Sequence, residues 1–428
     1  MKNIVPAVKG TRDFYPSEMA VRNWLYSIVR QVSESFGYQE YEAPILETLE
    51  LYAAKSGEEL VKEQAFVFPD RGGDQITLRP ELTPSLSRMV AQRQNQLIYP
   101  LRWWSFGPFW RYERPQKGRS REFFQWNIDL LGVDTPEADA ELVALVATFF
   151  QRVGLTKKDV VILVNDRKLM ETEFSRLGIS AEKKTDISTL IDRRNKMKPE
   201  EWDQYSFDIG LTKEQLAGLK SMLDNTELWR NSPDLVRLMN AVQAMGIGEY
   251  VRFDANIVRG LLYYTGTVFE AYDLSGDIRR SILGGGRYNN LLSDVGGEDL
   301  PAVGFAMGDV IITLLLQKLK LIPANLAKPT AQVLVTIFDE TSALESLALA
   351  AELRQSGINT VCYPEVSRLG KQLKFADRMG ISFALVLGPD EIQQDSINMK
   401  NLANGSQQVI QRSEASRILS ELLANTGR

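Results

Sequence analysis

Histidine is absent from this 428-residue chain, where ordinary usage of ~2% predicts about nine. That absence excludes Ser-His-Asp and Cys-His triads, HExxH zinc sites, imidazole general bases and imidazole pH switches. Cys362 is the only cysteine, which excludes an intramolecular disulfide, a CxxC redox pair and a thiolate zinc cluster. A strong charge of one sign is also missing: 50 Lys+Arg against 55 Asp+Glu leave a formal charge of −5, so any polyanion must be held by a local patch. No apolar run approaches the ~18–20 residues that span a bilayer. The start, Met1 to Pro6, has no long apolar core like that of a signal peptide. These absences predict a soluble, cytoplasmic protein without a membrane partner. Its chemistry must use carboxylates, Arg, Lys, Tyr or a bound metal.

What is present points to several folded units. The length predicts roughly two to four domains, and 44% hydrophobic residues suffice for their cores. Residues 17–36 read as an amphipathic helix with Ser17 as N-cap and Val21, Trp24, Leu25, Ile28, Val29, Val32 and Phe36 on one stripe. Strands are expected at 38–41, 75–78, 101–106, 160–164 and 264–271, with helices begun by Thr83-Pro84 and Thr135-Pro136. Strands grouped with few crossover helices predict an antiparallel α+β domain over residues 1–322. Charged, helix-like text from about 167 to 248 reads as a helical insertion. A linker at 323–329 precedes residues 330–428, where strands alternate with helices as in a small α/β domain with a largely parallel sheet.

The segment from Trp110 to Asp129 is densest in chemistry. Arg111, Arg114, Lys117, Arg119 and Arg121 lie between two apolar runs that read as adjacent strands. In an antiparallel hairpin, Arg111 and Glu113 share a face with Phe123, Gln125, Asn127 and Asp129 of the returning strand. Guanidinium groups bind phosphates bidentately, and a neighbouring aromatic face stacks on a base. On composition alone the same segment is equally a solvated hairpin with a charged tip. Glu81 and Thr83, between a strand and a helix start, suit a substrate ammonium or serve only as cap and dipole partner. Arg259, among apolar neighbours, needs an anionic partner, either a phosphate or a structural carboxylate. Gly284-Gly285-Gly286 offers close backbone approach, or a turn or bulge.

Together these segments resemble the histidyl-tRNA synthetase family of class II aminoacyl-tRNA synthetases. The resemblance runs from Lys9-Gly10-Thr11-Arg12-Asp13 through Leu78–Thr83, Arg111–Gln125 and Arg259–Glu270 to the Gly284–Tyr288 turn and Leu369–Lys374. It implies an antiparallel-sheet catalytic domain with a helical insertion, and a C-terminal α/β domain like those that bind anticodons. It implies a histidine–tRNA ligase that activates L-histidine with ATP and transfers it to the 3′ end of tRNA(His). Arg111 and Arg259 would be catalytic. Arg111, Glu113, Arg119, Arg121 and Phe123 would bind ATP, with Mg²⁺ carried on the nucleotide. Glu81, Thr83, Gln125, Asp129, Arg259, Tyr263 and Tyr264 would bind histidine, with Asp129 and Tyr264 taking the imidazole nitrogens. Lys371, Lys374 and Arg378, at i, i+3 and i+7 of one helix, would contact tRNA. The family also implies a homodimer through the 17–36 helix and the strand after it.

The chain departs from the family after Gly304-Phe305-Ala306-Met307-Gly308. There Asp309-Val310-Ile311-Ile312 replaces the usual Leu-Glu-Arg-Leu, whose Arg contacts the γ-phosphate. Arg114, Arg119 and Arg121 are the expected substitutes, and Asp309 is expected either to cap the following helix or to hold a metal. The alternative reading is a noncatalytic relative that regulates ATP phosphoribosyltransferase and senses histidine.

Overall fold

A computed structural model describes residues 4–53, 64–116, 118–258, 264–278, 280–290 and 292–426. The chain divides into two units, Met1–Ala324 and Asn325–Arg428. The described strands of the first are β1 (Gln39–Glu40), β2 (Leu46–Thr48), β3 (Phe66–Pro69), β4 (Gln75–Leu78), β5 (Leu101–Trp110), β6 (Glu122–Leu131), β7 (Val160–Asp166), β8 (Val251–Phe253), β9 (Thr267–Asp273), β10 (Leu283–Tyr288) and β11 (Ala302–Gly308). Eight form one sheet in the order β1-β5-β6-β11-β10-β9-β7-β8, while β2, β4 and β3 form a small second sheet. The large sheet is antiparallel from β5 across to β7, and only the outer pairs β1–β5 and β7–β8 are parallel. This is the α+β architecture that the sequence predicts.

Alternation along β6 explains how the sheet divides its faces. Trp126, Ile128 and Leu130 lie in the main core, beneath the helices Pro16–Ser35 and Pro136–Arg152, and Phe124, on the same face, stacks on Phe106 at 6.2 Å. The first helix starts at Pro16 rather than after Ser17, whose hydroxyl instead donates to Glu18 at 2.8 Å. Proline at a first helical position sacrifices no hydrogen bond, so it sets the start without a side-chain cap. Leu25, Val29 and Val32 are its buried stripe, and Trp126 Nε1 donates to Ser33 Oγ at 3.1 Å, pinning helix to sheet. The second helix is capped as expected, with Thr135 accepting from the Ala138 N–H at 3.3 Å. With one face of β6 committed to this core, Phe123, Gln125, Asn127 and Asp129 are left on the other.

Between β7 and β8 come the helices Arg167–Arg176, Lys184–Arg193, Pro199–Asp208, Lys213–Leu223 and Pro233–Ala244. Leu190, Trp202, Leu219 and Leu235 lie in a separate core that these helices share. The second unit holds β12 (Val333–Val335), β13 (Thr360–Cys362), β14 (Phe383–Val386), β15 (Ser396–Asn401) and β16 (Gln407–Gln411), in the order β13-β12-β14-β15-β16. The expectation of a largely parallel sheet is corrected here: β12 pairs in parallel with β13 and β14, but β14–β15 and β15–β16 are antiparallel. Polar Gln, Asn and Ser residues hide this hairpin in the sequence, because its apolar core positions, such as Ile397, Met399 and Ile410, are few and set among them.

Candidate active site

The Asp129 end of β6 lies on a lane of glycine. Across the sheet Asp129 registers with Gly304 of β11, and Gly304 with Gly286 of β10. A Cβ on Gly304 would come within 2.2 Å of Asp129 Oδ1, and a Cβ on Gly286 within 2.8 Å of the Tyr264 ring. The missing methyls therefore let the Asp129 carboxyl and the Tyr264 phenol lie down on the sheet, side by side across two strands. Gly284 to Tyr288 is thus a central strand and not a turn. Tyr288 donates its hydroxyl to Asp129 Oδ1, an anchor the sequence reading missed although the residue stood in the quoted motif. Asp129 is 5% exposed, and burial pushes its carboxyl up to about 7 against the opposing pull of the Tyr288 hydrogen bond.

Further along the same face, Asn127 registers with Ser105, and Gln125 with Gly107. Asn127 Nδ2, Ser105 Oγ, the Tyr41 hydroxyl and Arg79 Nη2 are buried without a hydrogen-bond partner among the described residues. Buried polar atoms of this kind are costly unless ordered water or a ligand completes them. Arg79 is held over Gly107 by Pro108 O at 2.9 Å, Ala43 O at 2.9 Å and the Glu42 carboxylate at 2.5 Å. Buried polar atoms beside Gln125 and Asp129 are the signal that sequence alone does not carry.

The Phe123 end is cationic. Arg111 lies 5.5 Å from the Phe123 ring centroid and donates through Nε to Pro80 O at 2.9 Å, which ties it to the segment that carries Glu81. Phe123 in turn stacks on Phe109, 6.1 Å between centroids. Arg119 pairs with Glu113, while Arg121 lies over Tyr112 at 4.1 Å and donates to the Glu113 carbonyl at 3.2 Å. Glu81 is buried, its carbonyl accepting from the Tyr52 hydroxyl at 3.3 Å. Thr83 is the first residue of its helix and not the cap: Leu82 occupies that position, and no side chain caps it. The fold thus brings Arg111, Glu113, Arg119, Arg121 and Phe123 together at one end of β6, and Asp129 and Tyr264 at the other. Gln125 lies between them on the same face. Arg259 and Tyr263 lie outside the described residues.

Asp309 meets neither expectation. It opens the helix Asp309–Lys318 without capping it, and its two carboxylate oxygens accept from Arg12 and from the Phe124 N–H. In the second unit, Lys374 and Arg378 are exposed on the helix Leu369–Arg378, whereas Lys371 is paired with Glu365 at 2.5 Å.

Comparison with known proteins agrees with this geometry. The histidyl-tRNA synthetase family matches residues 10–309, and an anticodon binding domain matches residues 332–422. The chain is 37% identical to the histidine–tRNA ligase of Opitutus terrae, covering 98% of both chains. It is 34% identical to that of Leptospira biflexa over 97% of both. The histidyl-tRNA synthetase structure from Nostoc sp. PCC 7120 superposes with a TM-score of 0.78 at 25% identity, covering 98% of this chain and 100% of that one. A Bacillus halodurans C structure titled as an ATP phosphoribosyltransferase regulatory subunit/histidyl-tRNA synthetase shares the fold, with a TM-score of 0.71 at 21% identity over 88% of this chain and 97% of that one. With a family match across most of its length and relatives above 30% identity over nearly all of it, this chain belongs to the histidyl-tRNA synthetase family.

Proposed function

We propose that the chain is a histidine–tRNA ligase whose two substrates meet along the open face of β6. The observation that carries this reading is the placement of Asp129 over Gly304 and of Tyr264 over the adjacent Gly286, at the far end of the strand from Arg111 and Phe123. An imidazole presents two nitrogens in the plane of a flat ring, and a carboxyl and a phenol lying on a bare sheet complement both. A site built for two polar contacts rejects side chains that leave them unpaired. Gln125, Glu81 and Thr83 would hold the ammonium, with Tyr263 beside them.

At the other end Phe123 would stack on adenine, Glu113 would take its amino group once released from Arg119, and Arg111 would bind the α-phosphate. A histidine carboxylate oxygen attacks that phosphorus, the bond to pyrophosphate breaks, and histidyl-adenylate forms. The attacking carboxylate is already ionised, so the step requires no imidazole base. It runs on positioning and on charge stabilisation by Arg111 and Arg259. In the second step a hydroxyl of the terminal adenosine of tRNA(His) attacks the carbonyl, and AMP leaves.

No three carboxylates or thiols gather into a metal cage among the described residues. Mg²⁺ would arrive on the outer phosphates of ATP and would neutralise charge there. Residues 330–428 would bind the anticodon region through a helix face that includes Lys374 and Arg378. The helix Pro16–Ser35 and the strand after it would form a homodimer, and the enzyme would work in the cytoplasm. Pyrophosphate exchange into ATP tests the reading: exchange that depends on histidine, and on none of the other amino acids, supports it. No exchange above background would turn attention to the regulatory alternative.

A further inference from the structure

The Lys9–Asp13 segment takes no part in the chemistry above, yet it is wound into the ATP end of the sheet. The Gly10 carbonyl accepts from the N–H groups of Arg121 at 2.8 Å and Glu122 at 3.2 Å, where β6 begins. Gly10 has a φ of +90°, and a Cβ there would come within 2.8 Å of Arg121 Cγ, so both conformation and space demand glycine. Arg12 Nη2 then donates to Asp309 Oδ2 at 2.8 Å, and Asp309 Oδ1 accepts from the Phe124 N–H at 2.9 Å. The Asp309 side chain thereby takes over at Phe124 just past the point where the β6–β11 register ends, at Gln125 and Gly308. Arg22 closes the cluster with its guanidinium 3.5 Å from the centroid of Phe124, and Phe14 stands edge-on to the same ring at 6.0 Å.

Resting on the synthetase reading, we propose that Arg12 and Asp309 are positioning residues for the ATP step. They clasp the start of β6 to the helix whose first turn lacks the expected arginine. The clasp holds the backbone on both sides of Phe123, through Arg121 and Glu122 before it and Phe124 after it. Gly118, in the loop that leads into β6, faces the same helix, since a Cβ there would meet Ile311 Cδ1 at 2.7 Å. Asp309 is 5% exposed, so its charge depends on Arg12 and the backbone donor for compensation. Asp129 lies six residues further along β6, about 20 Å at the usual rise. Loosening the clasp therefore acts on ATP and spares histidine.

The experiment compares Arg12→Gln, Asp309→Ala and the double variant in full-length protein. In pyrophosphate exchange each single variant should raise the KM for ATP about tenfold, the scale of one lost charge-assisted hydrogen bond. The KM for histidine should stay within about twofold, and the double variant should be no worse than the singles, because coupled partners are not additive. Arg12→Lys should recover part of the loss. Amide hydrogen exchange, which needs no activity, should accelerate in the peptide spanning Arg121–Phe124. If Asp309→Ala fails to fold, Arg12→Gln at its partly exposed position decides. Unchanged ATP KM and amide exchange, or an equal rise in both KM values, would overturn the clasp. Accelerated amide exchange in a protein whose wild type shows no histidine-dependent exchange would uphold the clasp as a contact while removing the synthetase reading and the catalytic role with it.

Discussion

At one end of β6, Phe123 lies beside the Arg111 guanidinium, with Arg119 paired to Glu113 and Arg121 over Tyr112; at the other, Asp129 lies buried on bare glycine backbone with two phenols close by. The first end suits a flexible polyanion, because cations on a loop can re-pair when phosphates arrive. The second suits a small flat ring, because a buried site discriminates through the polar atoms that a wrong ligand would leave unsatisfied. One strand thus presents two different environments about six residues apart.

The largest effect should follow from removing charge at the ATP end. Arg111→Ala is expected to lower the exchange rate about 10²–10³-fold, as for other lost preorganised donors. Near-normal turnover would show that its contacts to Phe123 and Pro80 are structural only. Next comes Gly304→Ala at the histidine end. Its new methyl must displace the Asp129 carboxyl, and overpacking of this kind costs about 1–3 kcal/mol, or roughly 5–150-fold in histidine affinity. Titration of histidine at saturating ATP measures it.

A third prediction concerns protons. The Asp129 carboxyl titrates near 4 in an unfolded chain but is pushed up to about 7 by burial in the folded one. The folded state therefore keeps a proton that the unfolded chain releases. The stability contributed by this group is full below pH ~4 and is lost as pH rises through about 7. Urea unfolding at pH 5 to 8 should show a decline that Asp129→Asn removes in part; the remainder belongs to groups such as Asp139, pushed up to about 6 by burial against the pull of Arg287. An identical slope in the two proteins would place Asp129 in a wetter setting. The smallest effect should lie in the second unit. Lys374→Ala should make the salt dependence of tRNA binding shallower by about 0.7–0.9 in log–log slope. Lys371→Ala should do less, because Glu365 already occupies that cation.

The contrast between the ends also marks what the sequence discloses. The Arg111–Asp129 hairpin and its alternation are legible, since a charged loop between two apolar runs has few other folds. Asp129 and Tyr264 as partners for a ring come from the family resemblance, and no spacing rule joins residues 135 positions apart. The glycine lane is not legible. Glycine usually weakens a strand, so Gly284–Gly286 reads as a turn until β9 and β11 are seen on either side of it. Asp309 misleads for a similar reason. An acid at the start of an apolar helix is a normal start signal, and only the fold shows Arg12, 297 residues earlier, beside it.

The division of labour along β6 is tested most directly by titrating both substrates against Gly304→Ala and Phe123→Ala in the same exchange assay. Gly304→Ala should raise the KM for histidine while the KM for ATP stays within about twofold, and Phe123→Ala should do the reverse, losing about 1–3 kcal/mol of base stacking. Variants that weaken both substrates equally, or each the wrong one, would contradict the assignment of the two ends.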